Sequence, residues 1–198
     1  MREMELTRMS ILISENGLCS RIKSAYKYGY TITGYETQGD NLITIDGGDW
    51  IVQSYQEDLP RKVLGLLVEH IGYLPENESL RIERKAANQV LMRDVADAPL
   101  AEYERIMSQI EGWVLEPIPL IWRDRWQLMQ REDLQIYAIS LNTMTLIEPS
   151  RVVVPVQYDD CAVWSMNGER VFARVSTPVA IGETLSVLVS ADWRKQEN

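Results

Sequence analysis

A single histidine, His70, and two cysteines, Cys19 and Cys161, limit the chemistry this chain can carry. Zinc sites built on several imidazoles, and HExxH metalloprotease helices, need more histidines than that. A Ser-His-Asp or Cys-His hydrolase would have to use His70, which falls late in an apolar helical segment beside Glu69. The simpler role there is an interaction with the last helical carbonyls. Cys161 follows Asp159 and Asp160, and neighbouring carboxylates raise a thiol's pKa where nucleophilic catalysis needs it lowered. Cys19 lies within an apolar helical face and suits a small core residue. The opening residues, MREMELTRMS, contain no apolar signal region. Both cysteines are therefore expected to be free thiols in the cytoplasm.

Carboxylates are the remaining source of acid–base or cation chemistry. Adjacent or near pairs occur at Asp46 and Asp49, Glu57 and Asp58, and Asp159 and Asp160. Neighbouring acids point to opposite faces of a strand and commonly occupy caps and turns. Asp46-Gly47-Gly48-Asp49 lacks the spacing of a calcium loop, and Gly47-Gly48 fits neither a Walker loop nor a dinucleotide fingerprint. No metal, cofactor or catalytic residue is expected.

Charge distribution is more informative. Between Tyr28 and Pro60 there is no Lys or Arg, while Glu36, Asp40, Asp46, Asp49, Glu57 and Asp58 give the window a charge of −6. Tyr30, Tyr35, Trp50 and Tyr55 are interleaved with these acids. Acids and aromatics on a rigid meander would make a negative face that steers a basic protein and anchors it. Glu36, Asp40, Asp46, Asp49, Trp50 and Tyr55 are the expected partner-binding residues. The competing expectation is that these acids only occupy solvated turns and strand edges.

Over 198 residues, 20 basic and 29 acidic side chains leave a net charge of −9. That balance opposes binding to nucleic acid, which needs a basic surface, and to an anionic membrane. The longest apolar candidate, Val63 to Val68, falls far short of the roughly 18 residues of a membrane span. Hydrophobic residues at 45% and charged residues at 25% are ordinary for a globular chain.

The elements that must position these residues follow from periodicity. Leu18, Ile22, Ala25 and Tyr26 fall at helical spacing, predicting a helix over 15–28 that Gly29 ends. Strands follow at 30–37, 42–46 and 50–55, separated by turn clusters. Asp58 is expected to cap a helix through 63–68 that ends at Gly72. A strand at 80–84, a helix near 86–95 and a helix over 98–111 come next. Residues 113–133, with Pro117 and Pro119 among Trp113, Trp122 and Trp126, are expected to be a packed connector. Strands are predicted at 134–141, 143–148, 151–157, 161–166, 169–176 and 184–192, with Asn167-Gly168 as a type I′ hairpin turn.

The fold class is therefore α+β. An N-terminal helix with an antiparallel meander and further helices precedes a C-terminal antiparallel sheet, expected as a small sandwich or barrel. The division is 1–112, 113–133 and 134–198, all of which could belong to one domain. The expected function is that of a non-enzymatic acidic binding protein, neutralising or chaperoning a basic protein partner as an immunity protein or antitoxin does. One alternative is a carboxylate-based hydrolase with Arg123, Asp124 and Arg125 at its substrate lip. Another is a phage or assembly subunit presenting an apolar patch around Trp113, Trp122 and Trp126. Oligomeric state does not follow from the residues.

Overall fold

The computed structural model describes residues 12–28, 32–37, 42–55, 58–71, 79–86, 89–94, 100–151, 153–176 and 191–193. Helix α1 spans Glu15–Tyr28, with Glu15 in its first turn and Lys27 in its last, both suited to the helix dipole. It buries Leu18, Ile22 and Ala25. Strands β1 (Ile32–Thr37), β2 (Leu42–Asp46) and β3 (Trp50–Tyr55) form the predicted antiparallel meander.

Helix α2 (Arg61–Ile71) follows Pro60, whose carbonyl accepts the first helical hydrogen bonds, from the N–H groups of Val63 and Leu64. Asp58 does not cap it. The helix starts three residues beyond, and Asp58 Oδ2 is buried without a hydrogen-bond partner.

The expected helix near 86–95 is instead strand β5 (Gln89–Asp94), hairpin-paired with β4 (Ser79–Ala86). Val90-Leu91-Met92 suits either state, and pairing along β4 decides it. Helix α3 (Leu100–Gln109) matches the next expectation.

The 113–133 segment packs as expected but is regular structure, forming β6 (Trp113–Trp122) and β7 (Trp126–Arg131). The two prolines are tolerated because β6 pairs with its other neighbour, β9, only at Trp113 and Val114. Beyond the Leu115 N–H, which donates to the Pro155 carbonyl at 2.9 Å, no ladder partner on that side among the described residues needs an N–H from Pro117 or Pro119. Between Pro117 and Ile121 the β6–β7 register shifts. The Gln127 side chain fills this irregularity, its Nε2 donating to the Ile118 carbonyl at 2.7 Å and the Leu128 carbonyl at 3.0 Å.

Strand β8 (Ile136–Ser140) leads directly into the short helix α4 (Leu141–Met144). The predicted 143–148 strand is thus a helix and a turn, with only Ile147 bridging to Ile13. Strand β9 is limited to Val156–Tyr158, followed by β10 (Cys161–Met166) and β11 (Glu169–Arg174). Asn167 and Gly168 both have positive φ, 50° and 88°, as a type I′ turn requires. Most of the predicted 184–192 strand lies outside the described residues.

Every strand pair is antiparallel, in the order β5-β4-β1-β2-β3-β11-β10-β9-β6-β7-β8. The class is α+β with an open antiparallel sheet. The β3–β11 pairing joins the N-terminal meander to the last strands. At the far end, Ala138 in β8 and Ser176 exchange two backbone hydrogen bonds, of 2.7 and 3.1 Å.

The sheet is covered on both sides where β3 meets β11. Ile43, Ile45, Trp50, Val52, Val171 and Ala173 join one core with Leu18 and Ile22 of α1 and Val63 and Leu67 of α2. Ile51, Cys161, Val163 and Phe172 form a second core on the other face, with Met107 of α3 against it. Strand β3 is therefore buried at five successive positions, from Trp50 to Ser54.

Candidate functional site

The turn between β2 and β3 places an exposed acid, Asp49. Asp46 Oδ1 accepts a hydrogen bond from the Gly48 N–H at 2.7 Å, and the Gly47 N–H donates to the Trp50 carbonyl at 2.8 Å. A Cβ on Gly47 would lie 2.1 Å from the Trp50 ring, so only glycine lets the turn fold over the indole. The arrangement buries Trp50 to 4% exposure and leaves the Asp49 side chain 59% exposed at the tip.

The six expected partner-binding residues fall into two groups. Asp46, Asp49 and Trp50 share this turn. Tyr55 stands at the other end of β3, roughly 16 Å away at strand rise, with its ring against Gly168. Glu36 lies on β1 opposite Ile43, nearer the Tyr55 end. Asp40 lies outside the described residues. Asp46 is buried by its own turn and Trp50 belongs to the core, so the turn presents Asp49 alone as an open carboxylate.

Beside Asp49, α1, the turn and the start of α4 enclose a cleft of about 470 Å³. Arg21, Ser24 and Tyr28 of α1 line one wall, Gly47, Asp49 and Trp50 a second, and Ser140 and Asn142 a third. The Arg21 side chain is 23% exposed, and its Nη2 lies 4.0 Å from Asp49 Oδ1. That pair is too long for a hydrogen bond. Arg21 Nε is buried with no hydrogen-bond partner. Ser140 takes the N-cap position of α4 without using its side chain for the cap. Arg21, Ser24, Ser140 and Asn142 carried no sequence signal, because the third wall is more than a hundred residues from the first.

A second cleft, of about 660 Å³, lies between α1 and α2 and is lined by Cys19, Lys23, Lys62 and Glu69. Lys62 is paired with Glu15 at 2.7 Å, which raises its pKa. Burial, then Glu15, push the Cys19 thiol up as well. The Cys161 thiol is buried and pushed up to about 12, chiefly by its burial, so at neutral pH it is a protonated core group. The side chain of His70 lies outside the described residues. Neither cleft pairs two carboxylates, and no described group of His, Cys, Asp or Glu is arranged to hold a metal ion.

Arg123 and Asp124 form the β6–β7 turn, both at positive φ, and the Arg123 guanidinium stacks on Trp122 at 4.5 Å. Trp122 and Trp126 pack on Ile118, Leu128, Ile136 and Ala138. Trp113 is 40% exposed beneath the Arg131 guanidinium.

No protein-family model, curated protein or solved structure matches the chain. No helix among the described residues is long and apolar enough to cross a membrane.

Proposed function

We propose that the protein is a non-enzymatic, cytoplasmic binding protein that neutralises or chaperones a basic protein partner, in the manner of an immunity protein or antitoxin. The observation that carries this reading is the window from Tyr28 to Pro60, which holds six acids and no Lys or Arg. Asp49 stands open at the end of that meander, on a turn fixed by backbone and Asx hydrogen bonds. Net negative charge draws a basic partner from a distance, and a preformed turn costs little entropy on contact. The buried Cys161 thiol, held protonated at neutral pH, supports a binding role over a thiol-dependent hydrolase. The Ala138–Ser176 bridge supports a barrel-like reading of the C-terminal strands, a rigid base for such a surface.

The test is to isolate the partner from the native host, identify it, and titrate it with wild type and with the Glu36→Lys/Asp49→Lys double variant. The expected loss is about tenfold or more at low salt, shrinking as salt rises. Equal affinity of the two proteins at low salt would remove the acidic meander from the contact.

A further inference from the structure

The second core of the sheet runs out from under its helix. Cross-strand pairing sets Ile51, Phe172, Val163, Val156 and Val114 in one row, across β3, β11, β10, β9 and β6. The first three are buried in the core that Met107 of α3 packs against. Val156 is half-buried, and Val114, at the end of the row, is 49% exposed. Over 154–158 burial alternates, with Pro155 and Gln157 turned inward and Val154, Val156 and Tyr158 outward. The solvated face of an antiparallel sheet normally carries polar residues, and here it carries valine. Exposed Ile110 follows α3 two residues before Gly112, whose Cα lies close against Val156 and Tyr158. Ile110, Val156, Val114 and Val154 therefore form one apolar stripe.

We propose that this stripe is the contact face of a symmetric dimer, covered by the same stripe of a second copy of the chain. The charges at its two ends select that occupant. Glu116 and Arg151 stand at the Val154 end, and Arg105 and Glu111 at the α3 end, where Asp159 after Tyr158 adds a further acid. Arg105, Glu111, Glu116 and Arg151 form no ion pair among the described residues. A two-fold axis through the middle of the stripe lays each end on the opposite end of the other copy. Arg151 then meets Glu111, and Glu116 meets Arg105, each contact occurring twice by symmetry. A purely basic partner would leave both arginines facing like charge, and a purely acidic one would do the same to the glutamates. Because each copy carries a net charge of −9, the valines supply the affinity and the end pairs fix the register. Val114 and Val156 of the two copies cover one another and complete the row that α3 leaves open.

Sedimentation equilibrium of the full chain from about 1 to 300 µM is the direct test. A reversible monomer–dimer equilibrium is expected. Val114→Glu and Val154→Lys change exposed positions with opposite charge, and each should weaken dimerisation about tenfold or more while leaving the far-UV circular dichroism unchanged. Arg151→Glu should weaken it about tenfold, since the lost contact occurs twice. Adding Glu111→Arg to that variant should restore the dimer, because the exchanged charges meet again across the axis. The proposal fails if the chain is monomeric at every concentration or forms an assembly larger than a dimer. It fails equally if the valine substitutions leave the dimer intact, or if Glu111→Arg does not recover the loss caused by Arg151→Glu. The measurement contains no second protein species, so its outcome is separate from the fate of the partner-binding reading.

Discussion

At the scale of single residues, Gly47 has the largest leverage on the cleft. Its missing side chain lets the turn lie on the Trp50 indole, and the indole is both core and cleft wall. Gly47→Ala would drive a methyl group into that ring, and overpacking of this kind costs about 1–3 kcal/mol. The expected outcome is a lower urea midpoint with an unchanged m-value. Gly48, whose φ is 89°, has open space where its Cβ would be, so strain there comes from the backbone and not from a clash. Arg21 shows the opposite case, a residue that gave no advance notice. It lies one position before buried Ile22 on α1, where sequence patterning sees an ordinary helix cation. Only the approach of Ser140 and Asn142 from α4 turns it into part of a cavity.

Among the elements, the meander, α1, α3 and the Asn167-Gly168 hairpin were legible, because helical spacing and turn chemistry are local signals. β5 was not, because Gln89–Asp94 becomes a strand only by pairing along β4. β6 was hidden by its prolines, which are harmless because, among the described residues, that side of the strand has no ladder beyond Leu115. The β3 pattern suggested a meander with an open face, yet both of its faces are covered, by α1 and α2 on one side and α3 on the other.

The β7–β8 connection shows how an element end is fixed. Arg131 stacks over the Trp113 ring at 4.9 Å and the Tyr137 ring at 5.3 Å while its guanidinium grips Asp133 in a bidentate pair. The bond from Arg131 holds the Asp133 carboxyl below its ordinary range. A carboxyl with a lowered folded pKa stabilises the protein above its unfolded pKa of about 3.9. That stability disappears as pH falls through the folded value. Asp133→Asn should therefore be less stable than wild type at pH 7, and the difference should close in acid below pH ~3.9. A difference that persists unchanged at the acid end would show that the pair contributes nothing. Next to it, Gln130 is fully buried and acts like a piece of strand backbone. Its Nε2 donates to the Ala191 carbonyl at 2.8 Å and its Oε1 accepts from the Trp193 N–H at 2.9 Å, fastening that segment to β7.

At the scale of the whole molecule, Glu169 ties together parts that are distant in sequence. Its carboxylate is 1% exposed, accepting from the Leu12 N–H at 2.8 Å and from the Ser54 hydroxyl at 3.0 Å. Glu169→Leu would orphan both donors, an expected loss of about 3 kcal/mol. Glu169→Gln should cost less, because the Ser54 hydroxyl can rotate to accept from the new amide. Urea unfolding of the two variants separates these cases, and equal losses would count against the hydrogen bonds as the cause.

The β3–β11 pairing also has a consequence in time. A ribosome adding about 5–20 residues per second makes β3 roughly 6–25 s before its partner β11 exists. Through that interval Trp50–Tyr55, buried at five successive positions in the finished sheet, waits as an unpaired strand edge, the kind that draws in a second copy of itself. Asp46 and Asp49 stand before that strand and Glu57 and Asp58 after it, all ahead of the first following cations, Arg61 and Lys62. Two nascent chains meeting at this edge therefore repel each other, so the acids act as gatekeepers for a strand whose partner is still being made.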